Sequence, residues 1–224
     1  MPKPYIPNDK WSRRAAKEGY RARSVYKLME LDLRCHLLSP GMTVLDLGAA
    51  PGSWLQYTAE RVGPRGKVIG IDLTPIAPIR GVKTFVADIT DLKAMQRILG
   101  KEAEDAEETE DAEERTLRKS SVSSDSSASS ASSTIDLILS DLAPKTSGVK
   151  DVDQWKSVEL SEAVLAIADR SLKSGGRVVL KVLRGADFDS FLFHLKRDWK
   201  DVETKQVEAS RDRSKEIYVV ARKP

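Results

Sequence analysis

Eleven residues, Val44 to Trp54 (VLDLGAAPGSW), limit what this chain can become more than any other stretch. A short apolar-rich run, Val44-Leu45-Asp46-Leu47, meets a turn of small residues, Gly48-Ala49-Ala50-Pro51-Gly52, and a helix-like run, SWLQYTAERV, follows at once. Strand, tight turn and helix start is how an α/β sheet offers backbone N–H groups and a helix N-terminus to a ligand. Gly48 and Gly52 bracket three residues that include no glycine. The dinucleotide fingerprint GxGxxG needs a further glycine so that pyrophosphate can approach the backbone. The spacing therefore favours a nucleoside ligand without a pyrophosphate and counts against a nicotinamide dehydrogenase. On these residues alone, an ordinary βα turn of a doubly wound fold is an equal alternative.

The rest of the chain repeats the alternation. Strand patterns occur at Thr43–Leu47, in KVIGIDL ending at Asp72, in KTFVADI ending near Asp88, in IDLILSDL (Ile135–Leu142) and in RVVLKVL around Lys181. Helical patterns lie between them: DLKAMQRILG, a long run from Val152 to Leu172 stopped by Gly175-Gly176, and DFDSFLFHLKRDW. Upstream, Ser24 is placed to cap a helix reaching about Leu33, with Val25, Leu28, Met29 and Leu33 as its inner face. Two last strands, near Val202–Val207 and Glu216–Ala221, flank SRDRSK as a terminal hairpin. Alternating strands and helices predict an α/β fold with a mostly parallel sheet, and the hairpin adds an antiparallel strand at one edge.

Two segments stand apart. Residues 1–11 hold three prolines and predict an extended arm, leaving 12–224 as a single domain. Residues 101–134 carry ten acidic and four basic residues, and their last fifteen include ten serines. Such a stretch cannot bury a core, so it is expected to be a disordered insertion in that domain. The remainder carries 33 basic and 24 acidic residues, with nine Lys or Arg against four Asp or Glu in the first forty positions. A basic body suggests a polyanionic partner, although solubility alone would also explain it. Arg13, Arg14, Lys17, Arg21 and Arg23 are the candidates for phosphate contact, with binding that weakens steeply in salt. Cys35 is the single cysteine, so no internal disulfide forms, and a reducing cytoplasm is expected. No apolar run approaches the ~20 residues of a membrane span. With His36 and His194 far apart in sequence, no metal site is expected.

Polar residues fall where strands end, the edge at which open α/β sheets bind ligands. Asp72 lies about twenty residues past the glycine turn, where a carboxylate can accept from ribose hydroxyls. Asp88 is placed to bind an adenine amino group, and Asp141 closes the fourth strand. Lys181 interrupts VVLKVL, and a lysine in a strand covered on both faces is costly unless paired or used. The alternative is that its side chain lies on a wet face.

EGYRARSVYKL, VLDLGAAPGSW, GIDLTPIAPI, VADIT, SDLAPKTSG, LKVLRGADF and ASRDRSKEIYVVA stand in one order along nearly the whole chain outside 1–11 and 101–134. The set resembles the FtsJ-like RNA ribose 2′-O-methyltransferases. That resemblance implies a Rossmann-like, seven-stranded S-adenosylmethionine-dependent methyltransferase fold. It also implies a catalytic Lys-Asp-Lys-Glu set at Lys27, Asp141, Lys181 and Glu216, and cofactor contacts at Gly52, Trp54, Asp72, Asp88 and Asp141. Trp54 would be the stacking partner of adenine, or else a core residue. The chain departs from the family at Leu183 and Arg184, where Phe and Gln are common, and at Ser53, commonly Gly in the bacterial enzymes. In such a reaction a neutral lysine serves as base, a state that desolvation and nearby positive charge favour. SDLAPKTSG is similar to the branch that modifies a uridine in large-subunit ribosomal RNA, which makes that RNA or the large subunit the expected partner of a monomeric enzyme. The alternatives are a tRNA 2′-O-methyltransferase and a non-catalytic RNA-binding ribosome assembly factor.

Overall fold

A computed structural model describes residues 9–100, 135–145, 147–209 and 215–224. Seven strands form one sheet: β1 (Thr43–Leu47), β2 (Lys67–Asp72), β3 (Val82–Val86), β4 (Ile135–Ser140), β5 (Leu172–Leu183), β6 (Lys200–Lys205) and β7 (Glu216–Arg222). Their order is β3-β2-β1-β4-β5-β7-β6. The first five strands pair in parallel, while β7 runs antiparallel to both β5 and β6. The hairpin expected at one edge is present, and β7 is its inner strand. Strand order reverses between β1 and β4, and the crevice outside the carboxyl ends of two such strands is where this architecture takes ligands.

The described residues include six helices: α1 (Lys10–Lys17), α2 (Val25–Cys35), α3 (Ser53–Val62), α4 (92–100), α5 (Lys150–Ser171) and α6 (Phe188–Asp198). Side-chain alternation along each strand divides the core in two. Ile138, Val178, Leu180, Val182, Ile217 and Val219 pack with α5 and α6 residues such as Ile167, Phe191 and Leu195. Leu137, Leu139, Val179, Tyr218 and Val220 pack instead with Leu28 and Leu31 of α2 and Leu55 of α3. Continuing the second register puts Asp141, Lys181 and Glu216 on the α2 face at the sheet's carboxyl edge. No helix among the described residues is long and apolar enough to cross a membrane.

The helices bring four corrections. α1 starts at Lys10, inside the span read as an extended arm, because Asp9 accepts from the Ser12 amide and hydroxyl and Trp11 packs on Tyr26 with ring centroids 5.2 Å apart. Residues 1–8 and 101–134, and the arm and insertion assigned to them, lie outside the described residues. Leu33 is 77% exposed rather than on the inner face of α2. Asp32 has the inner place, accepting from the Leu37 and Leu38 amides, the Tyr57 hydroxyl and Arg61. Ser24 stands just before α2 as expected, but its backbone is already helical and its hydroxyl pairs with Ser53 rather than capping. Gly175-Gly176 does not stop α5. Leu172 already pairs with Ile135, and the Lys223 ammonium donates to the carbonyls of Ala168, Asp169 and Leu172 at the helix end. Gly175 (φ +76°) lies in an irregular stretch of β5 instead.

Candidate active site

The turn after β1 is held by its own backbone. Gly48 and Ala49 donate to the Ile71 carbonyl at 2.8 and 3.2 Å, and Ala50 donates to Asp72 Oδ2 at 3.0 Å. These amides therefore fix the turn to β2 rather than facing a ligand, contrary to the expectation from the small-residue spacing. What the turn leaves open is the start of α3, whose first amides have no capping side chain. Gly52 is required there. Its φ is +102°, and a Cβ would come within 2.9 Å of Ile79 and 3.0 Å of Arg21.

Beside the turn lies a cavity of about 320 Å³, lined by Gly48, Asp72, Asp88, Ile89 and Leu142 among others. Asp72 ends β2 as expected. Asp88 lies two residues beyond β3, and its Oδ1 accepts from the Thr90 amide and hydroxyl, which holds its carboxyl below the usual range. Trp54 does not line this space. The indole is 3% exposed, donates to the Ser24 carbonyl at 2.7 Å and leans on Tyr218 with centroids 6.1 Å apart. At 3% exposure the indole offers adenine no open face and fits the core role that was its alternative.

Lys27, Asp141, Lys181 and Glu216 converge on the next part of the edge. Lys181, 7% exposed, donates to the Asp141 carbonyl at 2.5 Å and lies 3.1 Å from Asp141 Oδ1. The wet-face alternative for this lysine is thereby excluded. Lys27 of α2 bonds Glu216 Oε2 at 2.7 Å. Tyr218, directly opposite Lys181 in the β5–β7 pairing, joins the two pairs: its hydroxyl donates to Asp141 Oδ1 at 2.6 Å and Lys27 lies 5.7 Å from its ring centroid. Burial, reinforced by Asp141, pushes the Tyr218 hydroxyl well above its usual range, so it stays a donor. Sequence reasoning missed Tyr218 because an aromatic residue in EIYVVA looks like any strand residue.

Asp46 was missed as well. It is fully buried in β1, and neither oxygen has a hydrogen-bond partner among the described residues. Desolvation pushes its carboxyl well above the ordinary range, with Asp141 and Asp72 adding to the effect. The folded chain therefore binds a proton that the unfolded chain releases, and stability falls as pH rises above the ordinary carboxylate range. Asp46→Asn removes that titration. Its stability relative to the wild type should improve between pH 5 and pH 8, by up to about 1.4 kcal/mol per pH unit titrated. Urea unfolding at the two pH values checks this, and an offset independent of pH would refute it.

The basic N-terminal residues divide. Arg13, Arg14 and Lys17 are exposed on α1, Arg14 pairing with Glu18 at 2.7 Å. Arg23 pairs with Asp9 and donates to the Ala209 carbonyl. Arg21 turns inward, donating to the carbonyls of Pro51, Ala77 and Pro78 at 3.1, 2.7 and 2.9 Å. It thus clamps the turn after β1 to the loop after β2, and the phosphate-contact role expected for Arg21 and Arg23 does not fit their hydrogen bonding.

A profile of the FtsJ-like methyltransferases matches residues 20–224. The chain belongs to that family. Among curated relatives, it is 40% identical over 213 residues to a ribosomal RNA large subunit methyltransferase E of Azoarcus sp. (strain BH72), covering 95% of this chain and 90% of the relative. The protein of the same name from Methanothrix thermoacetophila is 38% identical over 218 residues, covering 96% and 72%. Among solved structures, a ribosomal RNA methyltransferase of Plasmodium falciparum superposes with a TM-score of 0.68 at 27% identity, covering 91% of this chain and 98% of that one.

FtsJ-like methyltransferases draw their methyl group from S-adenosylmethionine. The residues present fit that group. Its ammonium and sulfonium are cationic, and half-buried Asp72 and Asp141 place carboxylates at the carboxyl ends of β2 and β4, while the uncapped start of α3 suits its carboxylate. Asp72 and Asp88 would hold the nucleoside in the cavity. Because Arg21 clamps the turn after β1 to the loop after β2, Arg21→Ala should raise the Kd for S-adenosylmethionine roughly tenfold, the scale of one lost hydrogen bond to a charged group. RNA affinity should stay within twofold. Calorimetry with each ligand decides, and a loss confined to RNA would restore the phosphate-contact role.

Proposed function

We propose that this chain methylates a ribose 2′-hydroxyl, on a uridine of large-subunit ribosomal RNA, and that Lys181 is the general base. The observation that carries the reading is the Lys181–Asp141–Tyr218 arrangement beside the cavity, with the Lys27–Glu216 pair on the same sheet face. The relatives' names supply the choice of RNA.

When bound, the cofactor supplies an electrophilic methyl group on a sulfonium. Transfer forms an O–CH₃ bond as the C–S bond breaks, and the hydroxyl proton must leave. Lys181 Nζ accepts that proton, and Asp141 aims the amine with both its carbonyl and its carboxylate. Tyr218 holds the carboxylate in place. Glu216 and Lys27 then orient the ribose, each fixed by the other at 2.7 Å. General-base help of this kind contributes ~10²–10⁴-fold. Such a reaction needs position more than strong nucleophilicity, which suits side chains carried on three strand ends and one helix.

Parallel methylation assays on undermethylated large subunits and on tRNA test the reading, with the product mapped by mass spectrometry. Label in a ribose of large-subunit RNA supports it. Label confined to tRNA, or none with either RNA, refutes it in favour of a tRNA enzyme or an assembly factor.

A further inference from the structure

The first turns of α5 carry apolar surface that neither the core nor the reaction uses. Val149, Val152 and Trp155 are exposed, Trp155 by 52%, while Asp153, Gln154, Ser157 and Val158 between and beyond them are buried. Single exposed apolar residues need no explanation, but three within two turns at the mouth of a site mark a surface that something else covers.

Two contacts tie this surface to the catalytic strands. Asp153 Oδ1 accepts from the Ser147 amide at 2.7 Å and hydroxyl at 2.8 Å, in the loop that leaves β4 through Asp141. Gln154 fills the space over Gly185, where a Cβ would lie 2.0 Å from its Oε1. Gly185 follows Arg184, three residues past Lys181 in LKVLRG. The start of α5 is therefore braced against both segments that position the base. The same edge carries Lys145, Lys150 and Arg184, all exposed, and half-buried Lys156, interspersed with the acidic Asp151, Glu159 and Asp187. Exposed cations able to meet phosphate therefore border the indole.

An exposed indole on a braced helix, bordered by cations and next to Lys156, which with Glu159 lines the cavity, has the chemistry of a base-stacking platform. Every base has a π-face, and single-stranded RNA is held by such stacking together with backbone charge. We infer that Trp155 stacks on an unpaired base next to the nucleotide being methylated, with Val152 beneath the same base and Lys150 and Arg184 serving the adjoining phosphates. A protein partner fits less well, because the cations would then face another chain without a polyanion. The inference rests on the RNA reading above.

Two variants test it, Trp155→Ala and Trp155→Phe. With undermethylated large subunits, Trp155→Ala should raise KM for the RNA substrate about tenfold or more, the scale of one lost stack. Its kcat and its Kd for S-adenosylmethionine should stay within twofold, and Trp155→Phe should behave nearly as wild type. Independently, a single-stranded RNA oligonucleotide should quench a component of the wild-type tryptophan fluorescence that Trp155→Ala lacks. An unchanged KM with intact quenching overturns the inference. So does a defect seen on whole subunits but absent on protein-free ribosomal RNA, which would assign the patch to a ribosomal protein. Should the wild type fail to methylate large subunits, the functional reading falls, and the quenching experiment alone decides the platform.

Discussion

Lys181→Ala is expected to reduce methyl transfer by roughly 10²–10⁴-fold, the contribution of a positioned general base, while the Kd for S-adenosylmethionine stays nearly unchanged. The separation follows from the geometry. Lys181 touches Asp141 and faces Tyr218 across the β5–β7 pairing, but it does not line the cavity that Asp72 and Asp88 border. Removing the amine leaves the Tyr218–Asp141 hydrogen bond in place, so the crevice keeps its carboxylate orientation. Lys181→Met, which keeps the stem and loses the amine, guards against a folding defect and should be equally inactive. Retained turnover in both variants would remove Lys181 from the role of base.

The second large effect concerns the Lys27–Glu216 pair. Lys27 is 7% exposed, and Glu216→Ala would leave its ammonium on the α2 face without this carboxylate. Removing one member of a buried pair typically costs about 3–5 kcal/mol. Glu216 is partly exposed, so the lower end is expected here, visible as a drop in the urea midpoint. Replacing both members by apolar residues of similar size is often neutral. Lys27→Met with Glu216→Leu should therefore regain most of the stability yet remain inactive, because it removes both groups proposed to orient the ribose. A double variant that regains activity would show that the pair serves the fold alone.

Much of this architecture was legible in the chain, and the reasons are local. Strand patterns ending in Asp72, Asp141 and the KVLRG segment put chemistry at strand ends, where an α/β sheet collects it. Period-two alternation then fixed which residues share a face. What stayed hidden depended on contacts distant in sequence. Asp46 looked like one polar residue in an apolar run, and only the folded structure shows that its carboxyl is sealed in. Trp54 takes the core role that the sequence left as its alternative, and Tyr218 takes one that no sequence signal suggested. The indole is covered by Ser24 and Tyr218, while the phenol, anonymous within a strand, stands between the Asp141–Lys181 and Lys27–Glu216 pairs.

The N-terminal region shows the limits of charge counting. Arg13, Arg14, Lys17, Arg21 and Arg23 form one basic stretch in sequence, yet Arg21 and Arg23 are bonded to protein carbonyls from the loop after β2 and from Ala209. α1 did have a signal, Asp9 three residues before Ser12. The three prolines before it outweighed that signal. On α2 the apolar spacing suggested Leu33, whereas a buried aspartate with four partners determined the phase. Buried polar groups can set a helix's rotation as firmly as leucines do.

The most direct test of the account supplies methyl-labelled S-adenosylmethionine and undermethylated large subunits to the wild type and to Lys181→Ala, then maps the label by mass spectrometry. The account predicts a single labelled ribose 2′-oxygen in large-subunit RNA with the wild type and a loss of roughly 10²–10⁴-fold with the variant. Label on a base, or equal label from both proteins, would contradict it.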